Sequence, residues 1–194
     1  MIEAFIFAAG ASERMGSPKP LLRFGDQTLL ERLASAVRNA GVEKMSVLVR
    51  REDETLRKEV LRIGATEIIN ENPEVGMSGS VVLAAESCSC QWVALTPCDL
   101  PFITPQVVAS CVVGLDKSTP ILQPGFNGRR GHPVFLHKSV CVELVHEIRR
   151  GRTLREFVRD RNPKVVELAS ELPLRDINTP GEYGEALSLL GLTV

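Results

Sequence analysis

The sequence lacks the features that mark several broad functional classes. Aromatic residues make up 5% of its 194 residues, too few for the series of stacking rings that single-stranded nucleic acids need. Its 23 Lys and Arg balance 24 Asp and Glu, for a formal net charge of -1, so no basic excess points to nucleic acid or an anionic membrane as a partner. No apolar run approaches the roughly 20 residues of a membrane span. The first apolar run is not preceded by the basic segment that opens a signal peptide. We therefore expect a cytoplasmic protein that binds neither nucleic acid nor membranes.

The five cysteines do not have the spacing of a disulfide framework. They lie in segments that read as strands or helices, and a chain of this length needs no cross-links to be stable: Cys88, Cys90, Cys98, Cys111 and Cys141. The pair Cys88 and Cys90 has no second Cys or His pair nearby with which to hold a metal ion. We expect reduced thiols.

Two standard phosphate-binding motifs are absent. A P-loop has a glycine, four residues and then Gly-Lys-Ser/Thr, whereas Gly10 and Gly16 enclose five residues and the lysine comes only at position 19. The dinucleotide fingerprint G-x-G-x-x-G fails at its second glycine, where Ser12 stands. These mismatches argue against a P-loop nucleotidase and against a Rossmann oxidoreductase.

The loop after the first apolar run is nevertheless suited to a polyphosphate. The run Ile2–Phe7 predicts a buried strand, and residues 8–20 follow it directly. Open α/β sheets bind their ligands at the carboxyl ends of strands. Small residues here expose backbone N–H groups, and Arg14 and Lys19 add positive charge.

Strand-like and helix-like segments alternate along the rest of the chain. Further strands are predicted at 45–49, 67–69, 92–95 and 165–167, and helices at 28–40, 53–63, 78–86, 105–113, 139–149, 153–159 and 181–190. Repeated β-α-β units predict a Rossmann-like three-layer α/β/α fold with a mostly parallel sheet. The stretch 120–137 breaks the alternation and predicts a small antiparallel insertion. No linker or repeat is visible, so we expect a single domain over residues 1–194.

A carboxylate follows the fourth predicted strand. Asp99 lies in Pro97-Cys98-Asp99-Leu100-Pro101, at the edge of the sheet that also carries the 8–20 loop. A carboxylate beside a triphosphate site typically holds Mg²⁺. The alternative is that Asp99 caps a turn between the two prolines.

A second candidate for metal binding lies near the end of the sequence. Asp176 and Asn178 point to the same side if their segment is extended, so either could supply an oxygen ligand. The alternative, favoured by the spacing alone, is a helix start in which Asn178 or Thr179 caps the helix before Pro180.

A glycine-rich basic segment, 125–132, suggests a second anionic reactant. Arg129 and Arg130 carry guanidinium groups suited to phosphate, and His132 follows them. The alternative is a solvated hairpin loop with His132 as a packed ring.

Together these motifs resemble the MobA/MocA-like nucleotidyltransferases, the molybdenum cofactor branch of the nucleotide-diphospho-sugar transferase fold. Residues 7–19 are similar to the family loop L-A-[AG]-G-x-S-x-R-M-G-x-x-K, with Phe7 in place of the leading Leu. The segments 96–101, 131–133 and 176–180 then follow in the family's order.

The resemblance implies a Mg²⁺-dependent enzyme that moves a nucleotide from an NTP to the phosphate of molybdopterin and releases pyrophosphate. The implied catalytic residues are Lys19, Arg14 and Asp99, and the implied metal ligands are Asp99, Asn178 and Asp176. The implied nucleotide-binding residues are Ala8, Ala9, Gly10, Ala11, Ser12, Arg14, Lys19, Asn70, Gly76 and Ser80. Arg129, Arg130 and His132 would bind the phosphorylated pterin cofactor, and a molybdoenzyme could receive the product.

The base preference rests on few positions. Ala9 and the Gly131-His132-Pro133 element resemble the cytidylyl branch, whereas Cys98 and Leu100 resemble the guanylyl pattern. On this balance we expect CTP, with GTP as the alternative nucleotide. Another small phosphate as acceptor, or a non-catalytic protein that binds a nucleotide or cofactor, also remains open.

Overall fold

A mixed eight-stranded sheet forms the centre of the protein. The computed structural model describes residues 1–10 and 15–192. In that part of the chain the strands are β1 (Ile2–Phe7), β2 (Arg23–Phe24), β3 (Gln27–Thr28), β4 (Lys44–Val49), β5 (Thr66–Ile69), β6 (Trp92–Pro97), β7 (Ile121–Phe126), β8 (Arg129–Arg130), β9 (Val134–His137) and β10 (Lys164–Glu167). The α-helices are α1 (Leu29–Asn39), α2 (Glu54–Arg62), α3 (Met77–Ser87), α4 (Pro105–Val113), α5 (Cys141–Arg149), α6 (Leu154–Asp160) and α7 (Pro180–Leu189).

The strand order confirms a mostly parallel sheet with an antiparallel insertion. The order is β10-β7-β9-β6-β1-β4-β5, and β8 pairs with β7. Strand β1 is parallel to β4 and β6, β4 is parallel to β5, and β7 is parallel to β10. Strand β9 runs antiparallel to both β6 and β7. The insertion therefore lies where the alternation of the sequence breaks.

Helices cover both faces of the sheet, which confirms the three-layer architecture. All six residues of β1 are buried, and successive side chains of a strand point to opposite faces. Ile6 packs in a cluster with residues of α1, α2 and α4. Phe5 packs in a second cluster with residues of α3, α5 and α6. A strand buried on both faces reads as a nearly continuous apolar run, and β1 does so apart from the buried Glu3.

A third cluster joins the C-terminal helix to the segment that follows the first loop. Phe24 of β2 and Leu29 of α1 pack with Ile177, Ala186 and Leu187. Strands β2 and β3 form a separate two-stranded sheet. The C-terminal part of the chain is thereby held beside the end of the 8–20 loop.

The segment 125–132 differs from the predicted loop. Strand β7 continues through Pro124 and Gly125 to Phe126, where the Pro-Gly pair reads as a turn in the sequence. A Cβ at position 125 would lie 2.7 Å from Val165 and 2.8 Å from the Arg129 carbonyl oxygen. The glycine therefore permits neighbouring strands to approach closely rather than ending the strand.

Helix α1 begins as its sequence predicts, although its capping box is not complete. Thr28 is the N-cap residue, and its hydroxyl accepts a hydrogen bond from the Glu31 backbone N–H at 3.0 Å. The Glu31 carboxylate instead lies 2.7 Å from the Arg62 guanidinium. Throughout the described residues, none of the helices combines the length and apolar character needed to cross a bilayer.

Candidate active site

A cavity of about 520 Å³ opens at the carboxyl ends of β1, β4, β5 and β6. It is the place where a parallel sheet of this topology binds ligands. Seven of the predicted nucleotide-binding residues line it: Ala8, Ala9, Gly10, Lys19, Asn70, Gly76 and Ser80. Asp99 and Asn178 line it as well. The sequence-based choices for this site therefore converge on one cavity. Ala11, Ser12 and Arg14 lie outside the described residues, and their roles stay predictions.

Neighbouring strands fix the start of the 8–20 loop. The Ala8 backbone N–H donates to the Leu48 carbonyl at 2.9 Å, and the Cys98 N–H donates to the Phe7 carbonyl at 3.1 Å. The Arg50 Nε donates to the Ala9 carbonyl at 2.7 Å. The beginning of the loop is thus held from both sides before it turns over the cavity.

Lys19 lies between an aspartate and an asparagine that are far away in sequence. Its Nζ is 2.7 Å from Asn178 Oδ1 and 3.4 Å from Asp99 Oδ2. The backbone N–H of Ile177 donates to the Asp99 carbonyl at 2.9 Å, which ties the two distant segments together. The Asn178 amide nitrogen also donates to Asp176 Oδ2 at 2.8 Å. The three predicted metal ligands and the predicted catalytic lysine therefore form one cluster.

The charge of Asp99 depends on nearby cations. Burial raises the pKa of its carboxyl group, the positive charge of Lys19 opposes this rise, and the negative charge of Asp176 adds to it. A divalent cation beside Asp99 would favour its ionised form. Burial thus makes this carboxylate a group that gains from binding a cation.

The oxygen atoms of the cluster fit a hard divalent cation. The side chains of Asp99, Asp176 and Asn178 carry carboxylate and amide oxygens, which Mg²⁺ and Mn²⁺ accept as ligands. Asp99 and Asn178 line the cavity and Asp176 does not. Asn178 Oδ1 accepts a hydrogen bond from Lys19 in this arrangement, so it would have to exchange that bond for the cation. In the part of the chain that the structure describes, no group of three or more His, Cys, Asp or Glu side chains could hold a metal ion. The donor set therefore suits a cation that takes its remaining ligands from phosphate and water.

The structure confirms the predicted helix start in the segment 176–180, and metal binding by its neighbouring residue stays a prediction. Thr179 is the N-cap of α7 and forms a complete capping box with Glu182. Asn178, one residue earlier, directs its side chain to Lys19 and Asp176. The helix start therefore places Asn178 at the cavity instead of excluding it from the site.

The opposite wall of the cavity is formed by the start of α3. Asn70 and Ser80 are buried, and the Asn70 amide nitrogen donates to Ser80 Oγ at 3.2 Å. Gly76 precedes the helix with φ 71° and ψ −152°, and no side chain caps the helix there. The first backbone N–H groups of a helix attract anions, so this wall complements a phosphate.

Arg129, Arg130 and His132 lie elsewhere. The cavity, as the described residues define it, is lined by none of the three. Both arginines are exposed on β8, and Arg129 forms an ion pair with Glu171. His132 Nδ1 lies 3.2 Å from the Leu95 carbonyl oxygen, and burial lowers the pKa of the ring. The histidine geometry fits the packed-ring alternative, and acceptor binding by these residues stays a prediction.

Arg50 was not predicted from the sequence as a residue of this site. It follows β4 directly and lines the cavity beside Ala9. Its position was a usable signal, because Asn70 directly follows β5 and Asp99 comes two residues after the end of β6. A search of the residue after every predicted parallel strand would have found it.

Comparison with protein families and curated proteins gives consistent results. Residues 4–165 match the MobA-like NTP transferase domain. A probable molybdenum cofactor guanylyltransferase from Opitutus terrae is 31% identical over 171 residues, which cover 86% of this chain and 84% of that protein. A molybdenum cofactor guanylyltransferase from Haemophilus influenzae is 25% identical over 175 residues, with 88% of each chain covered.

Solved structures share the fold at low sequence identity. Rv0371c from Mycobacterium tuberculosis superposes with a TM-score of 0.81 at 22% identity, over 96% of this chain and 97% of that chain. A complex of the same mycobacterial protein with manganese gives a TM-score of 0.77 at 23% identity, over 96% of this chain and 97% of that one. A nucleotidyl transferase from Methanothermobacter gives 0.81 at 19% identity, over 97% of each chain. These similarities confirm the nucleotidyltransferase fold.

Proposed function

This chain belongs to the MobA-like NTP transferase family, and from that premise we propose that it transfers GMP from GTP to the phosphate of molybdopterin. Pyrophosphate is the second product. The observation that carries the proposal is the position of Lys19 Nζ, 2.7 Å from Asn178 and 3.4 Å from Asp99 at the nucleotide cavity. This arrangement places the positive charge that phosphoryl transfer needs next to oxygen atoms that could bind a metal ion.

The chemistry requires alignment and charge neutralisation. An oxygen of the acceptor phosphate attacks the α-phosphorus of GTP, and a new P–O bond forms. The bond from the α-phosphorus to the oxygen that bridges to the β-phosphate breaks, so pyrophosphate leaves with that electron pair. A phosphate nucleophile is already ionised, so the reaction needs no general base. The protein contributes mainly by positioning the reactants and stabilising negative charge.

The walls of the cavity suggest how the triphosphate is held. Lys19 would neutralise the charge that develops at the α-phosphate. The backbone at Ala9 and Gly10, and the start of α3 after Gly76, would face the remaining phosphates. Arg50 would add a second positive charge beside Ala9. Each assignment is supported by the lining of the cavity.

A divalent cation would be held by Asp99, Asn178 and Asp176. Bound there, Mg²⁺ or Mn²⁺ would act as a Lewis acid on the phosphate oxygens. The oxygen-only donor set supports this assignment, and so does the manganese complex of the mycobacterial protein. Asp99 contributes its negative charge only when it is ionised, and burial raises the pKa of its carboxyl group.

GTP is the nucleotide that the relatives favour. The curated relatives from Opitutus terrae and Haemophilus influenzae are named as guanylyltransferases, which agrees with Cys98 and Leu100. The expected preference for CTP rests mainly on Ala9 and is not confirmed. Ala9 lines the cavity and only 7% of the residue is exposed, so its side chain adds little volume with which to discriminate between bases. A molybdoenzyme that accepts the dinucleotide product is the partner this function implies.

Pyrophosphate release tests the proposal. Purified protein is mixed with molybdopterin, Mg²⁺ and GTP, CTP or ATP in turn, and kcat/KM is measured for each. We expect GTP to exceed CTP by about tenfold or more, as sites that hydrogen-bond a base discriminate between bases. A preference for CTP would overturn the guanylyl assignment. Nucleotide binding with no pyrophosphate released would favour a non-catalytic binding protein.

A further inference from the structure

The carboxylate of Glu182 accepts a hydrogen bond from a residue outside its capping box. In a capping box, the glutamate at the third helical position accepts a hydrogen bond from the N-cap backbone N–H. Glu182 Oε2 does so from Thr179 at 2.9 Å, and it also accepts from the backbone N–H of Asn178 at 2.7 Å. The second bond reaches the residue whose side chain contacts Lys19.

The other complete capping box of the described residues differs at this point. In α6, Glu156 Oε2 lies 2.8 Å from both the backbone nitrogen and the hydroxyl of Thr153. Its two hydrogen bonds go to the N-cap residue itself. Both glutamates are half-buried and both follow a threonine N-cap. Both helices therefore begin with a capping box. In α7 the capping glutamate also binds the backbone of Asn178, which lines the candidate active site.

Asn178 is held by backbone contacts on both sides of its side chain. The preceding N–H, of Ile177, donates to the Asp99 carbonyl at 2.9 Å, and its own N–H donates to Glu182. The side chain between these two points meets Lys19 at 2.7 Å and Asp176 at 2.8 Å. A shift of this backbone would move Asn178 Oδ1 relative to Asp99.

Helix α7 is itself fixed to the segment that follows Lys19. The Tyr183 hydroxyl donates to the Arg23 carbonyl, and the Tyr183 ring packs edge-on against Phe24 with 5.4 Å between centroids. Glu182 precedes Tyr183 in the first turn of the helix. It therefore acts from a rigid support, which is what a group that orients a ligand needs.

We propose that Glu182 is a positioning residue that holds Asn178 in place to bind the divalent cation. This inference rests on the proposed nucleotidyl transfer. Glu182 acts through the backbone of Asn178, and its effect falls on metal affinity and turnover. Groups that orient a metal ligand typically change affinity or activity by 10- to 100-fold when removed.

Four variants of the full chain separate positioning from capping: Glu182→Ala, Glu182→Gln, Glu156→Ala and Glu156→Gln. Mn²⁺ affinity in the presence of GTP is measured by electron paramagnetic resonance, beside kcat, KM and the melting temperature. We expect Glu182→Ala to weaken Mn²⁺ binding and lower kcat by about tenfold each. Glu182→Gln should restore most of both, because its amide oxygen can still accept the two N–H bonds. Glu156→Ala should lower the melting temperature to a similar degree and leave Mn²⁺ affinity unchanged.

The outcomes distinguish this inference from the proposed function. Wild-type Mn²⁺ affinity in Glu182→Ala would overturn the positioning role, as would an equal loss of affinity in Glu156→Ala. If the wild-type protein releases no pyrophosphate, the transfer reaction is refuted. The Mn²⁺ measurements on the same variants then still decide whether Glu182 positions Asn178.

Discussion

Replacing Lys19 with alanine should slow nucleotidyl transfer far more than it destabilises the protein. The Lys19 side chain is 16% exposed and its Nζ lies 2.7 Å from Asn178 Oδ1. A preorganised donor at the position where charge develops is typically worth about 10²–10³ in kcat, or roughly 3–4 kcal/mol. We expect a loss of this size in kcat with GTP, and a smaller change in KM.

The stability cost should be modest because the ion pair is long and partly exposed. Lys19 Nζ is 3.4 Å from Asp99 Oδ2, and the Asp99 side chain is 23% exposed. Exposed pairs contribute about 0–1 kcal/mol, and breaking a fully buried one costs about 3–5 kcal/mol. This pair lies between the two cases, so we expect a loss of about 1–2 kcal/mol. For a chain of this size that lowers the melting temperature by roughly 2–8 °C.

The same substitution should shift the pH dependence of activity in a defined direction. Burial raises the pKa of Asp99, and the charge of Lys19 holds it down. Without Lys19 the pKa rises further, so Asp99 is protonated at higher pH and loses its charge for the metal. The acid limb of the kcat/KM profile should therefore move to higher pH in Lys19→Ala.

Pyrophosphate release with GTP, molybdopterin and Mg²⁺ measures these effects. Lys164→Ala is the matched control, because Lys164 Nζ makes one 2.8 Å hydrogen bond to the Gly114 carbonyl at an exposed position. We expect the control to keep wild-type turnover. Turnover of Lys19→Ala within about tenfold of wild type would refute the assigned charge stabilisation. An acid limb that stays in place would refute the coupling to Asp99.

Three further predictions concern the packed histidine, the start of α3 and the base preference. Burial lowers the pKa of His132, so below the ordinary histidine pKa of about 6.5 the unfolded chain binds a proton that the folded chain excludes. The free energy of unfolding therefore decreases as the pH is lowered from about 6.5 to the lowered pKa of His132, by up to about 1.4 kcal/mol per pH unit. Urea titrations of His132→Gln at several pH values should lack this dependence, and an unchanged dependence would contradict the assignment to His132. Gly76 has φ 71°, so Gly76→Ala should destabilise the protein by about 1–3 kcal/mol and raise KM for GTP. The control is Gly184→Ala, in open space within α7, which should stabilise the protein by about 0.5–1 kcal/mol. Equal melting temperatures for the two variants would contradict the backbone strain at Gly76. Ala9→Gly should leave the GTP to CTP ratio of kcat/KM within about twofold of wild type, because Ala9 is buried and one methyl group discriminates weakly. A tenfold change in the ratio would show that Ala9 selects the base.

The parallel half of the sheet could be predicted from the sequence because its strands are buried on both faces. The predicted strands 2–7 and 45–49 are mostly apolar and have a helix between them, and such runs have one common explanation in an α/β protein. The two-residue strands β2, β3 and β8 could not be predicted, since they are too short to show a period. The antiparallel insertion over 120–137 was predicted, but not that β7 continues into the glycine-rich segment as far as Phe126.

The nucleotide side of the site could be predicted for a different reason. Residues that follow parallel strands meet at one edge of the sheet, so Asp99 and Lys19 were expected to face the same crevice. Arg50 obeys the same rule and was missed only because no motif drew attention to it. Residues outside this rule were harder: Arg129 and His132 lie on the antiparallel insertion, where loop composition does not determine which way a side chain points.

The segment 176–179 shows why spacing alone could not assign its role. Helix start and metal ligand looked like competing interpretations, and the helix start was the stronger one, because Thr before Pro is a good cap. In the structure the helix cap and the contact with the cavity fall on adjacent residues, and metal binding stays a prediction. Thr179 caps α7, and Asn178 reaches Lys19, 159 positions away in sequence. A good capping signal therefore does not argue against function in the residue before it, because the cap is what gives that residue a fixed direction.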